Sequence, residues 1–171
     1  MQVPKFNNIF DYINKMRNRL YMMIALPIIV FAFLYLEYTR GASVSKPKSI
    51  EFSAFTNAFL VAVFSSTIFA AYYIFNKNVK KIRQLNSRKQ QLDDYFTTSM
   101  YMYYILMGGI IAATISYWLT YNTYFAGFFV GYMFVISLNN PNMYRVFRHL
   151  RLSPEARERL IKQQFDSNAN N

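Results

Sequence analysis

Apolar residues in this chain fall into four runs separated by short polar stretches. The longest uninterrupted region, residues 99–138, reads SMYMYYILMGGIIAATISYWLTYNTYFAGFFVGYMFVISL and holds no Asp, Glu, Lys, Arg or His. A hydrocarbon layer ~30 Å thick needs about 20 helical residues per crossing, so this region crosses twice if it reverses near Tyr121-Asn122-Thr123. Backbone groups in lipid must bond within their own segment, which makes each half a helix. Two further runs, residues 20–38 and 52–75, have the length of one crossing each. The pattern predicts an all-α integral membrane protein of four transmembrane helices arranged as two hairpins. Its membrane domain covers residues 20–138, with spans near 20–38, 52–75, 100–119 and 124–138.

The polar flanks carry helical patterning of their own. In residues 1–19, Phe6, Phe10, Ile13 and Met16, continued by Leu20, recur at three- and four-residue spacing and share a helix face. That stripe predicts an N-terminal amphipathic helix. Its face lies in the headgroup boundary or packs on a neighbouring cytoplasmic segment, with Lys15, Arg17 and Arg19 poised for phosphates. After the fourth span, Asn139-Asn140-Pro141-Asn142 breaks the helix, and MYRVFRHLRL predicts an amphipathic piece along the membrane surface. Ser153-Pro154-Glu155 combines a capping hydroxyl, a proline at the first helical position and an acid in the first turn. Basic cytoplasmic helices are therefore expected over residues 139–165, and a disordered tail over 166–171.

Features inside the spans point to helix packing. Pro27 removes one backbone bond in the first span, and neighbouring helices must cover the carbonyl it frees. The run is longer than the apolar core of a signal peptide and three more spans follow, which favours an uncleaved helix. Ala54, Ala58, Ala62 and Ala70 make a small-residue row on the second span, and Asn57 and Thr67 could bond across it. On the third span, Gly108, Ala112 and Ser116 form one row and Gly109 and Ala113 another. The fourth contains Gly127 and Gly131 as a GxxxG pair, expected to pack on the third span or on a second copy. Tyr117, Trp118, Tyr121 and Tyr124 gather at one end, as interfacial aromatic belts do.

Charge fixes the orientation. The chain has 19 Lys+Arg against 8 Asp+Glu, a formal net charge of +11, and in a soluble domain that balance would suggest nucleic acid. Here anionic lipid headgroups are the nearer partner and nucleic acid is not expected. Four basic residues precede the first span, six lie between the second and third, and six follow the fourth, whereas the third-to-fourth turn has none. The positive-inside rule then puts both termini in the cytoplasm, in a setting of the bacterial inner-membrane kind. Arg17, Arg19, Lys80, Lys81, Arg83, Arg145, Arg148 and Arg151 are the candidate contacts to anionic lipid or a partner. Short echoes suggest two related hairpins: Asp11-Tyr12 with Asp94-Tyr95, and KKIRQL with RVFRHL.

No constellation for chemistry emerges. There is no cysteine, and the single histidine, His149, lies in a basic segment without companions for a metal site. Gly108-Gly109 lacks the lysine of a phosphate loop, and Asp93-Asp94 points to different sides of a helix at a solvated helix start. No charge falls in the middle of any span, and Glu37 sits at an outer end beside Arg40. No catalytic, cofactor-binding or metal-binding residue is expected. The reading is a non-catalytic small subunit or scaffold of a larger membrane assembly, contacting other subunits or itself. The alternative is a homo-oligomeric small transporter or channel, with Asn57, Ser65, Ser66, Thr67, Thr114, Ser116 and Ser137 as possible pore-lining groups.

Overall fold

The computed structural model describes residues 9–40, 53–158 and 160, and these contain helices and no strand. Phe6, the 41–52 connection, the expected helix end near Phe165 and the 166–171 tail lie outside the described residues. Five helices follow in order: α1 (Ile9–Thr39), α2 (Ala54–Ile82), α3 (Arg88–Thr120), α4 (Thr123–Leu138) and α5 (Met143–Leu150). Three of them, α1, α2 and α3, are long and apolar enough to cross a membrane, and they mark an integral membrane protein. At 16 residues α4 is about 24 Å long, a little short of the hydrocarbon layer.

The amphipathic N-terminal segment and the first span are one helix. No glycine or proline occurs between Ile9 and Pro27 to interrupt it, and the helix runs on through Pro27, which is buried. There is accordingly no break near residue 20. The face formed by Ile9, Tyr12, Ile13, Met16 and Leu20 is buried inside the molecule, against the polar N-terminal part of α3. The Tyr12 hydroxyl donates to the Leu92 carbonyl oxygen at 2.9 Å, its ring meets Phe96 edge-on, and the Arg19 guanidinium lies 5.3 Å from the Phe96 ring centre. Phe10 is off this face and exposed.

Turn chemistry accounts for the reversals. Ser87 caps α3 by accepting from Gln90 N–H, and Gln91 Nε2 reaches back to the Leu85 carbonyl oxygen at 2.6 Å, closing the α2–α3 corner. Between α3 and α4 the whole turn is Tyr121-Asn122. Tyr121 takes the left-handed conformation (φ 50°), its N–H bonding Tyr117 O, and Asn122 caps α4 by accepting from Tyr124 N–H at 3.0 Å. Asn142 caps α5 in the same way, accepting from Arg145 N–H at 2.7 Å.

α3 is the centre of the bundle. It packs along α1, α2 and α4, whereas α1 and α2 make little contact with each other. Half of the most apolar 18-residue window of α3 is buried, against 17% for α1 and for α2. α3 is also the least hydropathic of the three, as expected of a helix that meets protein more than lipid. Aromatic contacts tie α4 to both outer helices: Phe31 of α1 stacks on Phe129 at 3.8 Å, and Phe64 of α2 meets Phe125, Phe128 and Tyr132.

Candidate functional site

Of the small residues expected at helix contacts, one row is packed. Gly109 is buried where the Tyr132 ring of α4 crosses α3, and a Cβ there would overlap that ring. The Tyr132 hydroxyl passes across to donate to the Phe64 carbonyl oxygen of α2 at 2.8 Å, so this crossing joins three helices. Ala113, one turn on, is fully buried. The other row faces outward: a Cβ at Gly108, Gly127 or Gly131 would meet nothing within 4 Å, and Ala112, Ala58 and Ala62 are exposed. The buried seam of α2 consists of Phe64, Ala71, Phe75, Val79 and Ile82. This seam, with Phe64 and Phe75 in it, lies on another face of α2 and leaves the alanine row outside. The signal was present in the apolar i, i+3/i+4 series continuing into the basic segment, which small-residue spacing alone passes over.

The polar side chains converge at the basic end. There α5 folds back over the ends of α1 and α2 with Val146, Phe147 and Leu150 buried. Three contacts pin it. Arg83 Nε donates to the His149 carbonyl oxygen at 2.6 Å, the Tyr95 hydroxyl and His149 Nδ1 are 2.8 Å apart, and the imidazole packs edge-on against Phe75. Burial, and then the guanidinium groups of Arg145, Arg148 and Arg83, push the His149 imidazole down to about 4, so it is neutral at pH 7. Beneath it Asn139, buried at the end of α4, donates through Nδ2 to the Tyr72 hydroxyl and to the Val135 carbonyl oxygen, and its own carbonyl accepts from the Tyr103 hydroxyl at 2.5 Å.

These groups enclose a partly open cleft with room for about one water, lined on its polar side by Tyr95, Ser99, Tyr103, Asn142, Arg145 and His149. The eight candidate basic contacts are distributed unequally around it. Arg145 enters the cleft and Arg83 braces its roof. Arg17 is exposed and bonds Asn14 Oδ1 at 2.9 Å, and Lys80 and Lys81 are exposed at the end of α2. Arg148 is exposed over the Tyr144 ring, and Arg151, also exposed, ends α5 in the left-handed conformation (φ 51°). Sequence reasoning missed His149, Tyr95 and Asn139 as walls of one cleft, because their positions come together only through the docking of α5.

The opposite end of the bundle is closed by rings. Phe31, Tyr35, Tyr38, Tyr117 and Tyr121 pack with centroid separations of 5.1–6.3 Å, around a Tyr117 hydroxyl that is buried without a hydrogen-bond partner among the described residues. Trp118 and Tyr124, expected in the same belt, are exposed. Among the described residues no group of three His, Cys, Asp or Glu side chains comes close enough to hold a metal. Compared with family models, curated proteins and solved structures, the chain matches none.

Proposed function

We propose that this chain is a non-catalytic, small multi-pass subunit or scaffold of a larger membrane assembly. In this reading it crosses four times as two hairpins, with both termini and α5 on the cytoplasmic side of a bacterial inner membrane. α4 completes the fourth crossing alongside the part of α3 that follows Tyr103. The observation that carries the subunit reading is the outward row of small residues, Gly108 and Ala112 on α3 and Gly127 and Gly131 on α4. A Cβ added at any of the three glycines would meet nothing within 4 Å among the described residues, and such faces let another helix approach closely. The interior is filled by the Phe31–Phe129 and Phe64–Tyr132 contacts, which favours a packed scaffold over a passage through one copy.

The test is mild-detergent extraction from the native membrane, followed by sizing and identification of stoichiometric companions. A distinct partner protein is expected; a solitary monomer would overturn the reading, and a clean homo-oligomer would favour the transporter alternative. Gly127→Leu with Gly131→Leu is expected to abolish the association while leaving the thermal midpoint of the isolated chain within about 0.5 kcal/mol of wild type. Gly109→Leu should instead lower that midpoint by the equivalent of about 3 kcal/mol, through overlap with Tyr132.

A further inference from the structure

Arg145 is a partly buried charged group lining the cleft, with no ion-pair partner among the described residues. Its Nη1 is buried and has no hydrogen-bond partner among them. The cleft lining contains no Asp or Glu, while Tyr95, Ser99 and Asn142 supply further polar groups around the same space. A guanidinium does not deprotonate, so it cannot relieve an unpaired buried N–H by losing its charge, as a lysine could. Leaving such a donor unmet is costly, and the cleft that Arg145 lines has room for one water or one oxygen atom.

The arginines nearby do not share this situation. Arg148 and Arg151 stand exposed on α5, and Arg83 is engaged with the His149 carbonyl. The neutral His149, held by Tyr95 and packed on Phe75, keeps a second positive charge out of the cleft wall and fixes the face of α5 on which Arg145 lies, one turn earlier.

We propose that this cleft is a built site for one phosphate oxygen, with Arg145 as its anchor, and that its ligand is the phosphate of an anionic phospholipid headgroup or of a soluble phosphate compound. The lipid source rests on the membrane orientation given above, which puts the cleft at headgroup depth. The arginine fork suits the geometry of phosphate, and the cleft admits one oxygen while the rest of the headgroup stays outside. Arg148 and Arg151 then contribute only diffuse attraction, screened by salt.

Native mass spectrometry of the full chain in mild detergent tests this, with phosphatidylglycerol, phosphatidylcholine or inorganic phosphate added separately. Phosphatidylglycerol is expected to be retained at one tight equivalent per chain. Arg145→Gln should lower that retention at least about fivefold, and Arg148→Gln or Arg151→Gln less than about twofold. Retention of inorganic phosphate with no preference for phosphatidylglycerol, still lost in Arg145→Gln, would support the phosphate site and assign it to a soluble ligand. Equal losses in the three variants, or none in Arg145→Gln, would overturn it. If Arg145→Gln does not fold, Arg145→Lys serves in its place: it keeps the charge but loses the fork, and should still weaken retention more than Arg148→Lys. The measurement uses the purified chain alone, so its failure is separable from failure of the subunit reading, which depends on companions.

Discussion

The two ends of the bundle are closed by different physics. At the α3–α4 turn, five aromatic rings from α1 and α3 pack together, and one buried hydroxyl goes unmet. At the basic end, two hydrogen-bonded groups hold the corner: Tyr72 and Tyr103 meet Asn139, joining α2 and α3 to the end of α4, and Tyr95 and Arg83 meet His149, joining α3 and the end of α2 to α5. The difference follows from what each end has to bury. The turn end has no charged residue between Ser99 and Leu138, and Glu37 and Arg40 at the adjoining end of α1 stay exposed, so apolar shape is most of what it must satisfy. The basic end must bring α5, with its arginines, onto the ends of apolar helices, and each polar group taken from water then needs a partner. Ring packing tolerates small shifts, whereas a hydrogen-bonded corner specifies one arrangement.

The comparison is most strongly broken by Phe31→Ala. Its ring is sandwiched between Phe129 and Tyr117, and its loss should lower stability by about 2–3 kcal/mol, read as a thermal midpoint in detergent. The figure is below the usual value for a buried phenylalanine because, in a membrane, only the packing and cavity part is lost. Asn139→Ala should cost somewhat less, about 1–2 kcal/mol, by removing the side-chain bonds to Tyr72 and Val135. Hydrogen exchange should show that loss concentrated at the end of α4 and its contact with α2 around Tyr72, leaving the turn end protected.

A matched pair of tyrosines sharpens the contrast. Tyr95→Phe deletes the bond to His149 and should destabilise by about 1 kcal/mol, whereas Tyr117→Phe deletes a buried hydroxyl with no partner and should be neutral or slightly stabilising. Equal effects would mean that the two ends are not closed differently. The smallest effect expected is that of pH. Because the folded chain holds the His149 imidazole down at about 4, below its ordinary 6.5, the unfolded chain binds the extra proton between those values. Stability should therefore be flat above pH 6.5 and decline as pH falls from 6.5 toward 4. His149→Gln should remove this part of the decline, measured as the change in thermal midpoint across that range.

Much of this was legible in the residues. The α3–α4 reversal at Tyr121-Asn122 follows from an unbroken apolar region twice the length of one crossing, and the capping role of Ser153 follows from Ser-Pro-Glu; Ser153 Oγ accepts from Ala156 N–H at 3.4 Å. The contact rows were less legible. Gly108, Ala112, Gly127 and Gly131 have the same spacing as Gly109 and Ala113, but spacing states only that residues share a face. Which face turns inward depends on where Tyr132 crosses α3, a contact 23 residues away along the chain. The amphipathic stripe of α1 was similarly readable as a stripe, while its burial against Phe96 and Leu92 depended on how far α3 extends beyond the bilayer region.

The residues by themselves determine that the chain is helical and membrane-embedded, because long runs without charge can satisfy their backbone in lipid in no other common way and because turn and capping residues stand where the runs end. Only the tertiary structure decided that α3 is the shared centre, that one of two equivalent glycine rows is packed, and that Arg145, unlike the exposed Arg148 of α5, lines a partly open cleft with its Nη1 unpartnered among the described residues. Those outcomes depend on the rotation of each helix about its axis. That rotation is set by the sum of contacts with every neighbour, and no local stretch of residues encodes it.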